Sequence, residues 1–222
     1  MKFLVSIFIP FTFCRSTSDL WRSLGSVPSL ATVLLLHCVE VIRTTPPYSE
    51  IHAHARIVNL PILQSLSVLS ELFQSTDNTE LLQAHFAELA SILLVMTGSM
   101  VGAQSTRPPQ AASTTEQTAV DSEWKQVYKL QPVKVAIGTL KQLLKSTNCV
   151  VPISFEMMED TALYAEGLYV TAKCIFQSSD INTRKVVENM TAYLNSDFEA
   201  QRAAAVATFS AVRKMSDGKD SC

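Results

Sequence analysis

His52 and His54 stand two positions apart, and paired imidazoles are a common beginning of a metal site. Side chains at i and i+2 point to different sides of a helix, so these two converge only in an extended segment. On a helix or loop face they hold no metal. His37 and His85 are isolated in the sequence, and His85 fits the boundary of an amphipathic helix. Glu156, Glu159 and Asp160 form an acidic cluster. Paired carboxylates can divide acid–base work, but at a helix start negative charge complements the dipole and needs no substrate. Five cysteines, Cys14, Cys38, Cys149, Cys174 and Cys222, are odd in number and widely spaced, with no C-x-x-C. That pattern fits reduced thiols in a cytosolic protein better than a disulfide framework or a zinc site. The glycine-rich phosphate loop, the dinucleotide fingerprint, the H-E-x-x-H pair and the G-x-S-x-G turn are all missing. An enzyme is therefore not expected, and neither is a metal or another cofactor.

Other residues suit binding or packing. Trp21 and Trp124 precede helical stretches and fit either a partner anchor or aromatic core packing. Arg184-Lys185 and Arg213-Lys214 are small basic patches without interleaved aromatics, so no nucleic acid partner is expected. The triplet Asn189-Met190-Thr191 lies inside a helical pattern, a poor setting for glycosylation.

The elements that must carry these residues are helical. Leu82, Phe86, Leu89, Leu93 and Met96 step by four and three; so do Val133, Ile137, Leu140 and Leu144, then Tyr164, Leu168, Ala172 and Ile175. Such stripes face a core. The spacing predicts helices near 29–43, 49–58, 60–74, 78–97, 132–146, 155–177, 181–195 and 197–214. Pro28 and Pro61 fit first helical turns, Asp77 with Glu80 and Ser196 with Glu199 have capping-box spacing, and Asp180 fits an N-cap. Val150–Phe155 is the only strand candidate, weakened by Pro152. With 47% hydrophobic and 17% charged residues, the chain has the wrong composition for disorder.

Two apolar runs, Leu30–Ile42 and Leu89–Ala103, fall short of the ~20 residues a membrane span needs and read as central helices of a soluble fold. Gly98 and Gly102 mark a helix end or a close crossing. Residues 1–19 form an apolar N-terminal segment in which Lys2 precedes a run from Phe3 to Phe13, either signal-like or a non-native start. Residues 20–103 and 124–215 are expected to be helical repeats. Residues 104–123, rich in Ser, Thr and Pro, form a flexible loop between them, and 216–222 a disordered tail.

The helices 181–195 and 197–214 form one antiparallel pair and 132–146 with 155–177 another, a HEAT-like period near 40 residues. Asp197-Phe-Glu-Ala-Gln-Arg202-Ala-Ala-Ala-Val206 carries the Asp, the Arg five residues later and the small residues of such a repeat. An Asp can cap the second helix, and the Arg can reach carbonyl or acidic groups of an adjacent turn. With Val133–Leu144, Tyr164–Ile175, Asn195–Val206 and Phe86–Leu94, the chain resembles the maestro HEAT-like repeat family over residues 20–215. The resemblance implies an all-α, HEAT-like α-solenoid of antiparallel helix pairs, a short isoform or fragment of a longer array. It implies a non-catalytic scaffold with a protein partner, Asp197 and Arg202 as structural residues, and a cytoplasmic setting. The alternative is a membrane-associated or secreted helical protein using its apolar N-terminus.

Overall fold

The computed structural model describes residues 15–51, 55–75, 78–105, 130–149, 155–178 and 183–219. Its organising element is the run Phe86–Met100. No charged residue follows Glu88 in this run, and 13 of its 15 residues are buried, including Ser91, Thr97 and Ser99. Those hydroxyls do not oppose burial, because each bonds the carbonyl one turn back, at 2.6 to 2.8 Å. A helix apolar on all sides belongs inside a protein, and four helices from the C-terminal half of the chain pack around it.

In chain order the described helices are α1 (Arg15–Gly25), α2 (Pro28–Thr44), α3 (Leu60–Leu72), α4 (Thr79–Ala84), α5 (Phe86–Met100), α6 (Pro132–Ser146), α7 (Tyr164–Ser178), α8 (Thr183–Leu194) and α9 (Glu199–Lys219). Among the described residues the fold is all-α apart from one short hairpin. α1 and α2 pack on α3, α3 packs on α6, and α6 packs on α5. On its other sides α5 meets α8 and α9, and α7 lies along α9. The expected pairing of 181–195 with 197–214 corresponds to α8 and α9, side by side after a tight turn. The expected pairing of 132–146 with 155–177 does not occur: α7 packs on α9, and a 3-10 turn at Met157–Glu159 meets α6 instead.

Local chemistry accounts for the ends. Pro28, Pro61 and Pro132 all sit in first turns, where the missing N–H removes no bond. α6 closes with Asn148 at φ 56, and the Cys149 N–H reaches back to the Leu144 carbonyl at 2.8 Å. Asn tolerates this left-handed turn better than most residues. Gly102, at φ +71, sits in a tight turn just past α5, in which the Ala103 N–H donates to the Met100 carbonyl at 3.1 Å. Gly98 marks a crossing: a Cβ there would lie 2.7 Å from the Ala204 Cβ. The alanines of α9 and Gly98 of α5 thus let two helices approach as close as their backbones allow.

Polar ties fix the layers. Buried Asn78 donates to the Gly25 carbonyl at 2.9 Å and the Leu72 carbonyl at 3.1 Å, joining the ends of α1 and α3. Thr139 of α6 donates to the Leu66 carbonyl of α3 at 3.0 Å, and Ser146 donates to the Phe73 carbonyl.

Several expectations are corrected. Residues 49–58 are not a helix. Tyr48–Ile51 (β1) and Ala55–Val58 (β2) pair antiparallel, with Tyr48 opposite Val58 and Glu50 opposite Arg56. Ten residues of mixed apolar spacing suit either period. Here tertiary partners decide: β2 is extended by Gln104, whose carbonyl accepts the Val58 N–H at 2.9 Å. The same bridge ties down Gln104, the start of the expected loop, and Ser105 donates to the Leu130 carbonyl at 2.5 Å. The helix expected at 78–97 breaks at His85 into α4 and α5, and that expected at 155–177 starts only at Tyr164. α1 was not anticipated and begins within the segment read as 1–19, while α9 runs to Lys219, into the expected tail. His52, His54, Asp77, Trp124, Asp180, residues 106–123 and most of Val150–Phe155 lie outside the described residues.

Candidate interaction site

At the end of α2, Thr45-Pro46-Pro47 turns the chain into β1. The α8–α9 corner returns opposite, and between them opens a cleft of about 550 Å3. One wall is the proline turn. Asn59 holds it, donating to the Pro46 carbonyl at 2.6 Å while its own carbonyl oxygen accepts from Ser49 at 3.2 Å. Pro47 is buried behind it, next to Tyr48. The Tyr48 ring meets Phe198 edge to face at 5.3 Å, and the Arg56 guanidinium lies over the same tyrosine ring, 5.2 Å from its centre. These contacts join the hairpin to the α8–α9 corner.

The other wall is that corner. The Ser196 hydroxyl accepts the Phe198 N–H at 3.1 Å and donates to Gln201 Oε1 at 2.5 Å. Arg202 donates to the Ser196 carbonyl at 2.5 Å. An arginine on the first turns of α9 thus clamps the carbonyl of the connecting turn, a charge-assisted bond. The cap comes from Ser196; Asp197 is exposed at the cleft rim, and the bond expected from Glu199 is replaced by one to Gln201.

Beneath the cleft, Arg43 joins three helices. Its guanidinium lies 2.8 Å from the Glu88 carboxylate of α5, and His85 Nδ1 lies 3.3 Å from the other oxygen of that carboxylate. Arg43 also donates to Tyr193 of α8. Burial raises the Tyr193 phenol above its ordinary range, and Arg43 pulls the other way. The phenol therefore stays protonated at neutral pH and can donate as well as accept.

Asn189, Asn195 and Gln201 present amides, Thr44 and Thr45 hydroxyls, and Asp197 one carboxylate, beside Pro46, Tyr193 and Phe198. Amide side chains both donate and accept, as a peptide backbone does. No histidine or cysteine is among the described residues that line the cleft.

The other residues singled out by type fall elsewhere. Among the described residues no three of His, Cys, Asp and Glu gather as metal ligands. Asp160 caps locally, accepting the Ala162 N–H at 2.7 Å, and Glu159 lies 3.5 Å from Lys134 Nζ of α6, so two of the three acidic residues serve structural contacts. Arg184 pairs with Glu188 one turn on, at 2.9 Å. Trp21 is 3% exposed and belongs to the core. Cys38 and Cys149 are buried and free, and burial pushes the Cys38 thiol up to about 12. Arg43, Tyr193 and the proline turn were not singled out in the sequence. No spacing links Pro46-Pro47 to residues of the α8–α9 corner, far along the chain.

No family model, no curated protein and no solved structure matches the chain.

Proposed function

We propose that the protein is a non-catalytic scaffold of the maestro HEAT-like kind, which binds an extended segment of another protein in the cleft between the proline turn and the α8–α9 corner. The observation that carries this is the lining: amides, hydroxyls, a neutral phenol and an arginine beside Phe198, with a single carboxylate and no histidine or cysteine. Tyr and Arg are the residue types that most often dominate binding energy at interfaces. The solenoid reading is supported by consecutive helices packing side by side at α2–α3, α5–α6 and α8–α9, as stacked repeats do. A cytoplasmic setting suits the free thiols of Cys38 and Cys149.

The test is affinity capture with the full chain and with Tyr193→Ala, each checked for unchanged helical circular dichroism. Loss of about 30-fold or more in affinity for one stoichiometric partner is expected, since a hot-spot side chain contributes about 2 kcal/mol or more. Equal capture by both chains would remove the cleft as the binding surface.

A further inference from the structure

α2 presents a second surface. Its core side is filled by Ala31, Leu34, Leu35, Cys38, Val39 and Ile42. Its solvent side carries Val27, Leu30, Val33 and Leu36, which are 38 to 47% exposed and follow one another in steps of three. That is an i, i+3 ridge slanting across the helix, the form that packs into a neighbour's groove. Leu20 of α1 is also exposed, and no charged residue lies between Arg22 and Glu40. A helix apolar on both sides is normally covered on both.

We infer that residues 3–13 of this same chain cover the ridge, so that the protein caps its own N-terminal helix layer. Fourteen residues precede Arg15, the first residue of α1, and α1 packs against α2. Phe3, Leu4, Ile7, Phe8, Ile9 and Phe11 are among them, and Lys2 is the only charge. Both surfaces are therefore apolar and uncharged. Reach is sufficient: 14 extended residues span about 45 Å, and α2 is about 25 Å long. A segment tethered this closely acts at an effective concentration in the millimolar range, well above that of a second copy at micromolar protein. A membrane is the poorer occupant, because α1 and α2 are bent by 116° and, among the described residues, no single helix is long and apolar enough to cross one. The inference does not depend on the cleft.

The experiment places a photo-crosslinking amino acid at Leu36 of the full chain, and separately at Val33, so that one poorly folded variant does not end the test. Intact mass first establishes that residues 1–14 are present. A crosslink from either position to a peptide within residues 1–14, at monomer mass, is the expected result. Replacing Phe8 and Ile9 together by serine should cut its yield several-fold and raise binding of an apolar dye. Crosslinks joining two chains, crosslinks to lipid or to no peptide of 1–14, or a purified chain that lacks these residues would each overturn the inference.

Discussion

α2 and α5 are both long apolar stretches, and the chain treats them differently. α5 is enclosed by α6, α7, α8 and α9, and even its serines and threonine are buried. α2 meets α1 and α3 on one side and leaves an apolar ridge on the other. Composition fixes how much surface wants covering, whereas topology decides which of it is covered. α5 follows a break at His85 that turns it into the centre, and Gly98 lets α9 come within backbone distance of it. α2 lies at the edge, where the next layer must come from the N-terminal segment or from outside.

The contrast can be broken most forcefully at the centre. Leu93 is fully buried, so Leu93→Ala should cost about 2–5 kcal/mol in denaturant unfolding. Gly98→Val should cost about 1–3 kcal/mol, because its new carbons enter space already held by Ala204 and Leu168. Gly138, with open space around its Cβ position, is the control, and Gly138→Ala should stabilise its helix by about 0.5–1 kcal/mol. Arg202→Ala removes the clamp on the Ser196 carbonyl and should cost about 1–3 kcal/mol. A neutral result in a thermal melt would mean that the clamp contributes nothing.

At the edge, effects should be smaller and conditional. In a chain lacking residues 2–14, Leu36→Ser should change stability by no more than about 0.5 kcal/mol, as exposed positions do. In the full chain the same substitution should cost more, and the difference measures the coupling between ridge and segment. Cys38 reports on the inner face of α2. Its thiol titrates near 12 when folded and near 9.0 ordinarily. Below about pH 9 it is protonated in both states; above that, the unfolded chain loses the proton first. Its share of stability is therefore present below pH 9 and lost as pH rises towards 12. Urea midpoints should fall across that window, and fall less in Cys38→Val.

Much of the helical content was legible because three- and four-residue steps, first-turn prolines and short connections agree with one another. The hairpin was not, since Tyr48–Val58 carries both periods and is decided by Gln104 and Phe198, distant in sequence. Gly98 and Gly102 were legible as a helix end or a close crossing, and the structure divides the two roles, the crossing at Gly98 and the end at Gly102. Asp197 and Arg202 were visible from their spacing, and the structure gives the cap to Ser196 and the clamp to Arg202. The cleft itself was invisible, because its walls come from residues 42–47 and 189–201, and no local pattern records a meeting at such separation.

The most direct test of the scaffold account is photo-crosslinking from inside cells with the full chain carrying the crosslinker at Asn195, on the cleft rim, or at Glu166, exposed on α7. The account predicts that Asn195 crosslinks to one contiguous segment of a single partner and that Glu166 does not. Crosslinking of that partner from Glu166 alone, or from both positions equally, would contradict it.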